Sequence, residues 1–505
     1  MVATAPNRDG RAASDDERPL VLVSNRGPIE HYFDEAGEIK TRKAGGGVAV
    51  ALAAATRTRR VSWIAGACSA ADRSIAQSFK TLPWGSDGSL RLVSVPEVAA
   101  RPYYNSFCNP ILWFIQHSLG RELRSRGLDR EVRESWLNGY VPVNRLFADA
   151  VISEIDRYGT RARVMLHDYH LYLAPHLIRR ARPAALLQQF IHIPWPEPSL
   201  WSALPDWVVR EICRGLLAND SLAFQTDASA NNFVATCQAY LAGDLRTAET
   251  HTRMTYEGRN IHVWSNPISI DLAELDALSE SREVEQSRPA IAALASEKTI
   301  VRVDRLDPSK NVLRGFEAFD LLLRRRLDLQ EHVKFLAFLV PSREGIPEYD
   351  RYAERVFALV DSINRRFGTP KWSPITVFHE QNRPQAMAGL ALYDVLLVNS
   401  VADGMNLVSK EGPMVNERDG VVCLSRTAGS YEQLRNSVVT VDPLDVQKTS
   451  RALEMALELP PQVRKTMAAM NRSAIESHQL TDWLRHLLQD IELTAWRGER
   501  QLVSV

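Results

Sequence analysis

Short apolar runs alternate with longer amphipathic segments over almost the whole chain. Runs at 19–24, 162–166, 187–192 and 221–225 read as buried strands, and the series continues at 261–264, 299–303, 333–340, 375–379, 395–399 and 420–425. Between many of them apolar residues recur at the spacing of one helix face, as at 143–158 and 312–326. Strands that are apolar throughout and separated by helices belong in parallel sheets covered on both faces. Two such sheets are predicted. The first ends near Asn266 and Pro267, where turn chemistry precedes a polar, acidic stretch at 271–289, and the second begins near Glu297. The expected fold class is α/β, with domains at 19–267 and 268–477.

At 505 residues the chain exceeds what one hydrophobic core organises. Lys plus Arg equal Asp plus Glu, 61 each, so no overall field draws the protein to nucleic acid or an anionic membrane. Neither is an expected partner, and phosphate recognition must come from basic groups placed locally. No run approaches the ~18 apolar residues of a membrane span. Residues 1–18 lack a signal-peptide core and read as a disordered tail. Five dispersed cysteines without a CxxC pair argue against a disulfide scaffold or a zinc site. They favour a reducing compartment, so the expected location is the cytoplasm, and no metal is expected.

The most specific string is DGMNLVSKE at 403–411, which follows the strand at 395–399 and leads towards a helix. A Gly-containing turn there exposes backbone N–H groups to a phosphate, helped by the N-terminal dipole of the next helix. Asp403 and Glu411 supply carboxylates suited to sugar hydroxyls; a plain loop is the alternative. Arg26, just after the first strand, offers a bidentate fork to a phosphate or else makes a surface salt bridge. Gly45, Gly46 and Gly47 precede a helical run, which suits close approach of amides to a diphosphate and equally a flexible loop.

Arg305 and Lys310 leave a strand and flank a turn, an arrangement that neutralises a leaving diphosphate. Arg343 follows the strand at 333–340 and suits a second anion. Tyr104 and Trp113 stand in aromatic clusters that wall a sugar pocket or fill a core. HDYH at 167–170 invites a metal, but nothing supplies further ligands at suitable spacing. A hydrogen-bonded strand-end cluster fits better, with Asp168 orienting a sugar hydroxyl. His192 also ends a strand, aimed by the prolines after it, in a structural or a functional role.

Together these strings resemble the trehalose-6-phosphate synthase family of retaining glycosyltransferases, from about residue 19 to 495. SNR at 24–26, HDYHL at 167–171, HIPWP at 192–196, FQT at 224–226, RLDPSK at 305–310 and DGMNLVSKE at 403–411 carry the likeness, in the family's order and spacing. The resemblance implies the GT-B architecture, two Rossmann-like domains facing across a cleft, with a last helix within 478–505 crossing back to complete the first. It also implies transfer of glucose from UDP- or GDP-glucose to glucose 6-phosphate with retention, giving α,α-trehalose 6-phosphate, with no cofactor besides the donor substrate.

By motif, Gly46, Gly47, Arg305 and Lys310 would bind the donor diphosphate. Asp403 would hold donor glucose hydroxyls, Asn406 and Leu407 would present backbone N–H groups, and Glu411 would accept the ribose hydroxyls. Arg26, Tyr104 and Arg343 would grip the acceptor phosphate and Asp168 the acceptor sugar, with Trp113 and His192 at the junction. The implied chemistry is a front-face displacement in which the leaving phosphate helps deprotonate the incoming hydroxyl. Asp168, His192, Arg305 and Lys310 would then act by positioning and charge stabilisation.

Some positions depart from the family. After Trp63, where many relatives carry a second tryptophan at the acceptor pocket, the chain reads Ile64, Ala65, Gly66, Ala67. Phe114 replaces a proline, Ala402 replaces an arginine, and an aromatic near the base is replaced around Gln381 and Asn382. These changes leave the base open between uracil and guanine. They also admit a rival acceptor on the same fold, glycerol 3-phosphate or a cyclitol phosphate. A second rival, a catalytically silent partner in a synthase complex, should have lost Arg305, Lys310, Asp403 and Glu411, all of which are present. A dinucleotide oxidoreductase fits poorly, since no GxGxxG directly follows a strand. Homo-oligomers are compatible with this reading.

Overall fold

The computed structural model of the chain describes residues 19–43, 47–56, 60–78, 81–85, 88–120, 129–159, 162–241, 243, 245–247 and 253–503. The expected tail at 1–18 lies outside them. The buried runs assemble into two sheets. Seven strands of the first are parallel, in the spatial order Arg259–Ser265, Ser221–Phe224, Leu186–Ile191, Arg163–His167, Leu20–Ser24, Val61–Gly66 and Gly88–Val93. Short antiparallel strands extend both edges: Leu82–Trp84 on one, Arg253–Tyr256 and Leu245–Thr247 on the other. Leu20–Ser24 is buried along its whole length, as its unbroken apolar run requires.

All six strands of the second sheet are parallel, ordered Ile375–Phe378, Val333–Val340, Lys298–Arg305, Val395–Val398, Val421–Ser425 and Val439–Val441. In each sheet the strand order reverses beside its first strand. The reversal falls between Leu20–Ser24 and Arg163–His167 in one lobe, and between Lys298–Arg305 and Val395–Val398 in the other. Ligands of doubly wound sheets bind beyond the carboxyl ends of the strands at such switch points. Arg26 and Asp168 follow one pair of strand ends, and Lys310 and Asp403 follow the other. The fold is two Rossmann-like domains facing across a cleft.

Helices Val141–Tyr158 and Val312–Arg325 cover the predicted amphipathic patterns. The acidic stretch folds into two helices, Leu272–Ser279 and Arg282–Ala292, capped by Asp271 and Ser281, whose side chains accept from Glu274 N and Val284 N. Only Leu275, Val284 and Ile291 are buried there, anchoring both helices to the core of the second lobe. So few apolar points leave the stretch polar in sequence although it is ordered. Trp63, after which the chain departs from the family, is a core residue. It is fully buried, edge-on to Trp84 at 5.9 Å, and donates to Ser24 Oγ at 2.8 Å.

The last helix, Leu480–Val503, buries Leu480, Trp483, Leu484, Leu487 and Leu488 against the core of the first lobe, beside Met165, Phe190 and Ala223. The buried carboxylate of Asp490 is ion-paired to His262, takes a hydrogen bond from Ser221 Oγ and another from Gln188 Nε2 at 3.1 Å. No helix among the described residues is long and apolar enough to cross a membrane. Removing a buried charged acceptor strands its donors. Asp490→Ala is therefore expected to destabilise the first lobe by about 2 kcal/mol, read as an earlier urea transition of the full chain; an unchanged midpoint would remove this anchoring role.

Candidate functional site

The carboxyl ends of both sheets open onto one cavity of about 660 Å³ walled by both lobes. From the first lobe come Asn25, Arg26, Tyr104, Trp113, Asp168 and His192; from the second come Arg305, Lys310, Arg343, Asp403, Asn406 and Leu407. Sequence and topology agree here, because each of these side chains sits just past a strand end or on a helix leading from one.

On the first-lobe wall, the Tyr104 hydroxyl raises the Arg26 guanidinium above its ordinary pKa, against the opposing effect of burial. Tyr104 also lies parallel to the His170 ring, 6.1 Å between centroids. Burial, then the positive fields of Arg343 and Arg26, drive His170 well below the usual imidazole range. One neutral ring thus feels both arginines. Asp168 adopts a left-handed φ of 72° and accepts from His192 N at 3.3 Å. Burial pushes its carboxyl up to about 7, although backbone N–H groups and Arg343 act the other way.

On the second-lobe wall, Lys310 is ion-paired to Asp403. The same carboxylate accepts from Asn406 Nδ2 at 3.0 Å and Ser400 Oγ at 3.2 Å. Burial raises the Asp403 pKa, but Lys310 and these hydrogen bonds outweigh it and hold the carboxyl below its ordinary value. Asn406, at φ 64°, turns the chain into helix Val408–Val415, for which Leu407 is the cap. Asn406 Oδ1 accepts from Ser409 N at 3.1 Å, which caps the start of that helix. Glu411 lies one turn further in, 3.4 Å from Arg383 Nη2, with its carboxyl raised by burial.

Gly404 is held close to the other lobe: a Cβ there would overlap the carbonyl oxygen of His192. Only a glycine lets these two backbones meet.

The lobes are joined at Asp307, which is fully buried. Trp113 Nε1 of the first lobe donates to its Oδ1 at 3.2 Å, as do Ser309 N at 2.9 Å and Ser309 Oγ at 2.8 Å. Arg343 is ion-paired to its other oxygen. Arg343 also stacks over the Trp113 ring, 3.9 Å from the centroid, and donates to Tyr349 OH at 3.2 Å. Arg305 reaches the same indole at 5.1 Å. Burial alone would raise the Asp307 carboxyl, but Arg343, Arg305 and His117 reverse this and hold it well below the carboxylate range.

Most predicted residues therefore converge on one cavity. Gly46 lies outside the described residues, and Gly47 begins helix Gly47–Ala55, whose Ala49 is on the cavity wall. Glu411 is paired with Arg383, which lines the cavity, and is not itself among the lining residues. The string RLDPSK points to Arg305 and Lys310 and passes over Asp307, whose local signature is an ordinary turn cap. His117 was also missed; it stacks on Trp113 at 3.9 Å, and burial lowers its pKa to about 4. Nothing in its own sequence neighbourhood marks it. His167, Asp168 and His170 hold no metal-like arrangement, and no such group of three occurs among the described residues.

The family model described as Glycosyltransferase family 20 matches residues 18–493. A trehalose-6-phosphate synthase of Mycobacterium sp. (strain JLS) is 31% identical over 497 residues, covering 96% of this chain and 98% of that protein. A probable alpha,alpha-trehalose-phosphate synthase (UDP-forming) 2 of Arabidopsis thaliana is 31% identical over 406 residues, covering 80% of this chain; the chain spans about half that relative's length, 48%. In architecture the chain is similar to the crystal structure of an alpha,alpha-trehalose-phosphate synthase (UDP-forming) from Burkholderia xenovorans in complex with glucose-6-phosphate. The TM-score is 0.80 at 24% identity, covering 94% of this chain and all of that one.

The raised carboxyl of Asp168 has a consequence for stability. Its folded pKa, about 7, exceeds the unfolded value of 3.8, so ionisation opposes folding. The penalty is absent below about pH 4, grows up to about pH 7 and is constant above it. Asp168→Asn is expected to be more stable than wild type at alkaline pH, with the difference vanishing towards pH 4; thermal melts across that range that run parallel would contradict this.

Proposed function

The chain belongs to glycosyltransferase family 20, and on that premise we propose that it transfers glucose from UDP-glucose to the 1-hydroxyl of glucose 6-phosphate, releasing UDP and α,α-trehalose 6-phosphate. The observation that carries this reading is the convergence of four basic side chains from both lobes on one cavity: Arg26 from the first, and Arg305, Lys310 and Arg343 from the second. Two phosphorylated substrates need several such cations, and a cavity walled by both lobes brings the two sugars together. The names of the relatives support UDP as the leaving group and glucose 6-phosphate as acceptor.

The donor diphosphate lies against Arg305, Lys310 and the start of the helix at Val408, whose dipole stabilises the charge of departing UDP. Asp403, kept ionised by Lys310, accepts from donor hydroxyls. Glu411 accepts from the ribose. Arg26, Tyr104 and Arg343 hold the acceptor phosphate, and Asp168 orients the acceptor sugar beside Trp113 and His192.

Asp307 and Asp403 are each tied to a cation, which suppresses their nucleophilicity. Retention then follows from attack on the face that UDP leaves, with a donor phosphate oxygen taking the acceptor proton. The protein contributes position and charge. All five cysteines are free thiols, which supports the cytoplasm as its place of action.

Incubation of the purified protein with UDP-glucose and glucose 6-phosphate is expected to give UDP and a disaccharide phosphate with two α-anomeric protons by NMR. Parallel reactions with GDP-glucose and with glycerol 3-phosphate test the base and the acceptor. No transfer to glucose 6-phosphate would overturn the proposal. Arg305→Ala is expected to lose about 3 kcal/mol of transition-state stabilisation, on the order of 100-fold in kcat/KM; an unchanged rate would remove Arg305 from the site.

A further inference from the structure

Along the cavity wall, a chain of polar groups runs from the interlobe crossing to His192. Ile268, three residues past strand Arg259–Ser265, is in the segment that passes from the first lobe to the second. Its peptide is gripped from both sides. Gln225 of the first lobe accepts from Ile268 N at 2.9 Å, and Lys410 Nζ of the second lobe donates to Ile268 O at 2.8 Å. Gln225 also faces His192, with its Nε2 at 3.5 Å from Nδ1 of the imidazole. His192 Nε2 lies 3.1 Å from His167 Nδ1.

We infer that Gln225 is a positioning residue for His192, fixing its imidazole as the Nε2–H tautomer and tying it to the interlobe crossing. The directions follow from donor and acceptor chemistry alone. A peptide N–H only donates, so the Gln225 atom facing Ile268 is the carbonyl oxygen, and the atom facing His192 is the amide NH₂. An NH₂ group only donates, so His192 Nδ1 is the acceptor and carries no proton. The single proton of a neutral His192 is therefore on Nε2 and is donated to His167 Nδ1. His167 must then carry its own proton on Nε2, an atom that is buried without a partner.

Neutral rings are what this chain requires. Burial lowers His167 to about 3, and burial and then His167 take His192 well below the usual range. Gln225 and His167 are buried, at 3% and 0% exposure, so water does not compete for these bonds.

Neither Gln225 nor Lys410 is needed as a substrate ligand in this scheme. Lys410 is 1% exposed and, as a buried amine, has its pKa lowered to about 7. Movement of the second lobe carries Lys410, shifts the Ile268 peptide and with it the Gln225 amide. The tautomer and the aim of His192 are thereby set by the relation between the lobes.

The kinetic half of this inference rests on the transferase reading above; the tautomer does not. ¹⁵N spectra of the full chain labelled at histidine, with His192 identified by the signal lost in His192→Asn, are expected to show His192 protonated on Nε2 and hydrogen-bonded at an unprotonated Nδ1. A Gln225→Glu carboxylate still accepts from Ile268 N but cannot donate, so the His192 proton is expected to move to Nδ1. With it kcat is expected to fall tenfold or more, while both KM values stay within about threefold.

A wild-type His192 protonated on Nδ1 overturns the inference, whatever the variant does. So does a Gln225→Glu protein whose tautomer changes while kcat does not. A wild type that yields the expected spectrum but no product refutes the transferase reading and leaves the tautomer assignment standing.

Discussion

One buried carboxylate organises the site. Asp307 has no access to solvent, so its charge persists only because Trp113, Ser309 and Arg343 surround it. Trp113 belongs to the first lobe and the other two to the second, which makes the joint between the lobes a charged one. Removing one partner from such a pair costs ~3–5 kcal/mol, because the other is left buried and alone. Arg343 meets the joint from a loop with left-handed backbone, and its guanidinium stacks on Trp113 while gripping Asp307. The same contact that closes the cleft therefore aims Arg343 into it. With Arg343 fixed, it shares the Trp113 indole with Arg305, in the cavity that Arg26 and Lys310 also line.

A second contact sets how close the lobes come. The donor loop passes the backbone of His192 at Gly404, and Gly429 packs against Gly404 O in turn. Three stretches of chain stack there with no side chain between them. Such contacts are short-ranged and steep, so they act as a stop, whereas the Asp307 joint supplies the attraction. Lys410, holding the crossing peptide at Ile268, places a third tie near the hinge itself.

Much of this was legible in the sequence, and the parts that were not have physical reasons. Unbroken apolar runs such as 335–340 and 395–398 mark strands buried on both faces. Val61–Gly66 is equally buried, but its Ser, Ala and Gly dilute the signal. Strand Ile39–Lys43 is wholly exposed and reads IKTRK, so it carries no apolar pattern at all. Arg305, Lys310 and Asp403 stand out because charge at a strand end is unusual. Asp307 does not, because Asp before Pro and Ser is common turn chemistry, and its long-range partner is Trp113, 194 positions earlier. Pairings of this kind depend on how the two lobes dock, which local patterns do not encode.

The central claim is that Asp307 couples binding of the two phosphorylated substrates by holding the lobes together. Calorimetric titration of glucose 6-phosphate into the protein, with and without saturating UDP, measures that coupling directly. Bound UDP is predicted to tighten glucose 6-phosphate binding about fivefold or more, and Asp307→Asn is predicted to abolish the difference while each ligand still binds alone. Equal affinity for glucose 6-phosphate with and without UDP in the wild-type protein would contradict the account.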